Sequence, residues 1–260
     1  MPFALKSAPS HSPRAAVPSK RLALLDALRG LLLCNMLLYH LCWDAVYLFD
    51  TDLPWYRGRG AYLWQQSICW GFLLLSGFCQ PLGRRPLRRG VLTLLAAALI
   101  HAVTAPFGNH RISFGILTLL GSCTLLSLPL DKFLRRTRPA AGMLFCALLF
   151  FLTRNAASGA LGFESWNLAP LPAALYQNGC TAYLGFPPPG FYSSDYFPLL
   201  PWSFLFFCGA FAGRSQTAHR FLENRSAAGP RALRFLGRHS LAVYLLHQPL
   251  LYALLRCALP

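Results

Sequence analysis

Negative charge is the scarcest feature of this 260-residue chain: eight Asp and Glu stand against 24 Lys and Arg. Charged residues together make up 12% of it and hydrophobic residues 55%, so charge runs at roughly half the share of an ordinary soluble domain. A water-exposed surface can hardly be furnished from that stock. Familiar catalytic signatures are missing as well. There is no G-x-S-x-G elbow, no Walker phosphate loop and no H-E-x-x-H pair, which leaves serine-triad hydrolysis, ATP-driven chemistry and zinc proteolysis unsupported. The nine cysteines form no C-x-x-C pair and keep no zinc spacing to histidine. They read as small packing residues, and no metal is expected. The formal charge of +16 could suit a nucleic-acid binder, but the basic residues sit in short segments between apolar blocks. That placement is a mark of membrane topology, and no nucleic-acid partner is expected.

What is present is apolar sequence in long blocks. Seven blocks predict seven transmembrane helices, at 22–43, 62–80, 91–105, 114–130, 140–153, 196–213 and 240–255. The third and fifth fall below the roughly 17 residues that a span usually needs, so tilt, re-entry or snorkelling flanks are open for them. The expected fold class is all-α, a polytopic integral membrane helix bundle. Residues 1–20 are Pro/Ser-rich and basic, without the apolar core of a cleavable signal, and read as a disordered cytoplasmic tail. Residues 21–260 form the membrane domain, with an outer loop at 154–195. Alternation of the spans puts eighteen basic residues on one side and five on the other, with Arg29 inside the first span. The positive-inside rule then makes the N-terminus cytoplasmic. Asp44, Asp50, Asp52, Glu164 and Asp195 fall on the outer side, where the Pro/Gly/aromatic run GFPPPGFYSSDYFPLLPW is expected to fold over the mouth of the bundle.

Ionisable side chains at membrane depth are expensive and mark function by default. In LLDALRGLLLCNMLLYHLCWD, Arg29 and His40 are eleven residues apart, three turns plus about 20°, so both leave one helix face roughly 16 Å apart. Asp26, Met36, Asp44 and Tyr47 fall near the same face. A histidine beside a carboxylate is a natural general base, and a buried arginine suits a phosphate or a developing oxyanion. The plainer alternatives are that Asp26 caps the helix and neutralises Arg29, and that His40 rests at the lipid interface. His247 with Gln248 lies deep in the last span, where Pro249 frees a carbonyl, and it either lines a path or ties helices together. Asp195 and Tyr196 are assigned to the acceptor, with an N-cap of the sixth span as the alternative for Asp195. Trp55, Trp166 and Tyr192 suit sugar stacking or interfacial anchoring equally. A non-enzymatic transporter or lipid-binding protein is the competing class, but the repeated halves common in transporters are not visible.

The Arg-x10-His spacing after LDALRG, together with SGFCQ, GFPPPGFYSSDYFPLLPW and the ending LGRHSLAVYLLHQP, resembles bacterial proteins that carry the heparan-alpha-glucosaminide N-acetyltransferase catalytic domain. The likeness runs from about Arg21 to the C-terminus. It implies a plasma-membrane, multi-pass acyltransferase that engages acetyl-CoA from the cytoplasm and passes the acyl group to a glycan or small-molecule acceptor outside. It matches His40 to the family's essential base or acyl carrier and Arg29 to the arginine of the same motif. The resulting site assignment is His40, Asp44 and Arg29 for catalysis, with Asp26, Asp195, Tyr196, His247 and Gln248 for substrate. Acyltransferases of this type have more spans than seven, so a homodimer is the expected way to complete the donor path. Membrane lipid is the remaining partner.

Overall fold

A computed structural model describes residues 19–223 and 229–259 of the chain, and the protein is 73% helical with little sheet. The helices are α1 (Ser19–Tyr47), α2 (Arg59–Cys79), α3 (Pro86–Thr104), α4 (Ile116–Leu126), α5 (Asp131–Arg136) and α6 (Pro139–Leu152). A two-stranded antiparallel hairpin follows, β1 (Ala160–Phe163) with β2 (Trp166–Pro170). The chain ends with α7 (Gly179–Leu184), α8 (Leu199–Ala212), α9 (Gln216–Glu223), α10 (Arg231–Arg238) and α11 (Ser240–Ala258).

Every expected span overlaps a helix, namely α1, α2, α3, α4, α6, α8 and α11 in turn. Three helical segments, Ala23–Tyr47, Pro86–Gly108 and Ser240–Ala258, are long and apolar enough to cross a membrane. The third span is therefore longer than 91–105. Pro86 takes the first turn of α3, where its missing N–H costs nothing, and carries the helix five residues further back. By contrast α4, α6 and α8 are apolar but only 11, 14 and 14 residues long. The expectation for residues 1–18 lies outside the described residues, while Ser19 and Lys20, expected in the tail, begin α1.

The bundle is built outward from α1, which packs on α2, α10 and α11; α2 packs on α8, and α8 carries α4 and α6. Leu73, Leu119, Cys123, Phe150, Trp202 and Phe206 make the main apolar core from α2, α4, α6 and α8. The outward faces are apolar too. Leu92, Leu95 and Leu99 of α3, Leu144 and Leu148 of α6, and Leu246, Leu250 and Leu254 of α11 are all exposed. So wide an apolar exterior is costly in water and free in hydrocarbon.

Glycine sets the tightest contact in the bundle. A Cβ on Gly77 would lie 1.8 Å from the Phe206 carbonyl oxygen, and one on Gly209 would lie 2.1 Å from that of Leu74. The α2 and α8 backbones thus touch directly, the close approach that small residues permit between membrane helices.

The segment between α6 and α8 is more regular than its composition implies. Asn155 Nδ2 donates to the Glu164 and Trp166 carbonyls and to Asn167 Oδ1, gathering the β1–β2 hairpin around one side chain. Further on, Ser194 N donates to Arg111 O and Phe197 N to Phe114 O, so the Pro/Gly/aromatic run is stitched to the segment ahead of α4. Short strands held by a side-chain hub leave no alternating pattern to read, which is why hairpin and α7 were both missed.

Gly77→Ala and Gly209→Ala should each cost about 1–3 kcal/mol by forcing the α2 and α8 backbones apart. A lower thermal midpoint in detergent would show it. Gly60→Ala, whose Cβ meets nothing within 4 Å, should cost nothing.

Candidate functional site

One face of α1 meets α10 at its start and α11 toward its end. At the α10 end the backbones touch: a Cβ on Gly30 would lie 2.0 Å from Leu233 O, and one on Gly237 would lie 1.9 Å from Asp26 O. That approach brings the Gly237 carbonyl within 3.4 Å of Arg29 Nη1, which also pairs with Asp26 Oδ1 at 3.3 Å. Arg29 Nη2 donates to Cys79 Sγ at 3.2 Å, and Asp26 Oδ2 accepts from Arg238 Nε at 3.1 Å. One carboxylate is thus shared by two arginines, and Arg29 is held by α1, α2 and α10 together.

At the other end the polar residues of α1 face α11. The His40 ring lies 4.9 Å from that of His247, centroid to centroid, at 58° between planes. Asp44 is completely buried, and its Oδ1 accepts from Gln248 Nε2. Two buried polar atoms here have no hydrogen-bond partner, Asp44 Oδ2 and His247 Nε2. Uncompensated burial of such atoms costs about 1–3 kcal/mol each, an outlay typical of places where a ligand or a proton is meant to go.

The expected residues thus come together in two groups. Asp26 and Arg29 join Arg238, while His40, Asp44, His247 and Gln248 converge between α1 and α11. Arg29 lies with Cys79 and Gly237, because the glycine contact puts a carbonyl within its reach. Asp44, expected to orient His40, is bonded to Gln248. Tyr47, expected on the polar face, is 52% exposed and packs its ring at a tilt against Trp43 and edge-on to Tyr56.

Asp195 is held between α4 and α11. It does not cap α8, whose N-cap is Pro198, and its bonds are not to His40. Its Oδ2 accepts from the Ile116 N–H at 3.1 Å, at the positive end of α4, and from the Tyr244 hydroxyl at 3.5 Å. Tyr196 donates to the Ala182 carbonyl at 2.6 Å and so fixes α7. Tyr244 had not been singled out, yet it connects the two regions. Its hydroxyl meets Asp195, its carbonyl accepts from His247 Nδ1, and its ring lies 5.3 Å from the His247 ring. The signal was its place three residues before His247, on the same helix face. A narrow cleft beside it is lined by Asp195, Tyr244, His101, Phe114 and Thr118.

A second network lies beside the β1–β2 hairpin. Arg154 lies 4.9 Å over the Trp202 ring and reaches Tyr62, Gln66 and Glu164, while Tyr62 donates to Glu164 at 2.6 Å. It joins α2 to the hairpin. Among the described residues no group of three or more His, Cys, Asp or Glu could hold a metal ion.

Polar groups buried at the junction of the first and last helices of a membrane bundle suit proton transfer or group transfer inside the protein. Residues 21–249 match the family model described as heparan-alpha-glucosaminide N-acetyltransferase, catalytic. The match covers most of the chain, which belongs to this family, a family of acetyltransferase-type enzymes. No curated protein and no solved structure matches the chain.

Burial pushes the Asp195 carboxyl from 3.8 up to about 6, against the downward pull of the Ile116 N–H and the Tyr244 hydroxyl. With the folded value above the unfolded one, the contribution of Asp195 to stability is complete below the unfolded value and is lost as pH rises through the folded one. Thermal stability should therefore fall between about pH 4 and about pH 6, and Asp195→Asn should flatten that part of the curve. An unchanged slope in the variant would assign the fall to other groups.

Proposed function

We propose that this chain is a multi-pass membrane acyltransferase that takes an acetyl group from acetyl-CoA on the cytoplasmic side and gives it to a hydroxyl or amine of a glycan-type acceptor outside. The observation that carries the reading is the meeting of His40 and the buried Asp44 with Gln248 and the buried His247, in a chain of an N-acetyltransferase family.

In this reading all seven apolar helices cross or enter the plasma membrane, with lipid around them and the N-terminus inside. The short α4, α6 and α8 are carried by partners, either the longer helices beside them or a second copy of the chain. Arginines on the cytoplasmic side attract the phosphates of the donor. Arg29, held by Asp26 and flanked by Arg238, marks the level where the thioester arm enters the bundle. His40 is the base for the acceptor or the transient carrier of the acetyl group. Asp44 fixes α11 opposite His40 through Gln248 and keeps one oxygen available to a ring N–H or to the acceptor. Asp195 and Tyr196 shape the outer approach, with Trp55, Trp166 and Tyr192 as stacking surfaces for a sugar.

Purified protein in detergent should transfer labelled acetyl from acetyl-CoA to an amino-sugar acceptor or to water. His40→Ala should lower kcat by about 10² to 10⁴, the usual worth of a general base, while the protein still purifies as a folded species. Full activity in His40→Ala would remove His40 from the reaction, and uptake of solute without acetyl turnover would assign a transporter instead.

A further inference from the structure

The tautomer of His247 can be read from its partner. Its Nδ1 lies against the carbonyl oxygen of Tyr244, one turn back in α11. A carbonyl only accepts, so Nδ1 must carry the hydrogen, and in the neutral ring the lone pair is then on Nε2. Nε2 is buried and no donor reaches it. A base nitrogen has thus been placed inside the protein, oriented by the backbone and left vacant.

The neighbour of that nitrogen's ring is His40, 4.9 Å away between centroids. Arg29 of α1 and Arg238 of α10 are engaged elsewhere, both with Asp26. Position along α11 is fixed one residue further on, where Gln248 donates to the buried Asp44. Asp44 is four residues after His40, so the amide bond locks His247 across from His40. Sliding α11 along α1 would break it and leave the carboxylate wholly unpaired.

We infer that His247 is the proton-accepting partner of His40, so that the proton His40 lifts from the acceptor is relayed to His247 Nε2. This rests on the acyl-transfer reading above. As the acceptor heteroatom bonds to the thioester carbonyl and the C–S bond breaks, its hydrogen passes to one ring nitrogen of His40. The hydrogen on the other His40 nitrogen moves to His247 Nε2. His40 stays neutral, and the charge rests on a ring that already donates to the Tyr244 carbonyl. The departing thiolate takes a proton when the relay runs back, so acetyl thioester and acceptor become acetylated acceptor and free thiol with no net proton change. His247 acts through His40 and is a positioning residue.

Asparagine isolates this role, because its amide nitrogen takes the place of Nδ1 and can still donate to the Tyr244 carbonyl, but it offers no base at Nε2. His247→Asn should purify as a monodisperse species with KM for acetyl-CoA within about twofold and kcat lower by about tenfold or more. The dependence of kcat on deuterium fraction in mixed H₂O and D₂O should be bowed in the wild type, where two protons move together, and straight in His247→Asn. His247→Gln, which puts a non-basic amide at the level of Nε2, provides a second comparison if the Asn variant does not fold. Wild-type kcat in the variants, or a lower kcat with the bowed dependence kept, would overturn the relay and leave the acyl-transfer reading standing. A wild-type protein without acetyl transfer would sink that reading and the relay with it, whereas a fully active His40→Ala would overturn the relay alone.

Discussion

Hydrocarbon offers no partner to a charged or polar side chain, and that one constraint organises the whole protein. The first helix carries Asp26, Arg29, His40 and Asp44 within a span whose other faces are leucine-rich. Each must find its partner inside the bundle, and most of the partners come from one place, the pair α10 and α11 at the far end of the chain. Gly237 and Arg238 serve the α10 level, and His247 and Gln248 serve the α11 level. Docking the chain's end against its beginning is therefore less a matter of apolar packing, which lipid would reward equally, than of satisfying polar groups and close backbone fit.

Glycine decides how closely the elements can meet. Between α1 and α10 the contact is backbone to backbone, at Gly30 and Gly237, and this puts a carbonyl into the coordination of Arg29. The same device at Gly77 and Gly209 holds α2 to α8, the axis on which α4 and α6 are carried. The bundle thus has two rigid seams. The histidine pair lies beside the first, where the crossing of α1 by α11 leaves two polar atoms buried without partners.

Helix positions were legible because hydropathy is a local property, and all seven apolar blocks coincide with helices. The polar face of α1 was legible for the same reason, since the angle between Arg29 and His40 follows from helix geometry alone. Partner choice was not. Asp44 stands four residues after His40, which places them on one face, and its hydrogen bond nevertheless goes sideways to Gln248 from a helix two hundred residues later. No spacing within α1 contains that information. Asp195 shows the same limit from the other side: a carboxylate just ahead of α8 serves the N-terminus of α4, because the loop is stitched to residues 111–114 and turns the side chain toward Ile116.

The division of polar groups into two levels also bears on direction. Arg29 is balanced by the Asp26 carboxylate, which Arg238 shares, so the α10 level combines one negative with two positive side chains and favours an anionic guest. The α11 level has no arginine in its bonds and holds two imidazoles and a carboxylate, groups that exchange protons. Under the proposed acyl transfer, a donor with phosphates and an acceptor with an exchangeable hydrogen would use these two environments in this order, on opposite ends of one helix. The roughly 16 Å between Arg29 and His40 along α1 is comparable to the length of a flexible thioester-bearing arm, set by nothing more than eleven residues of helical rise.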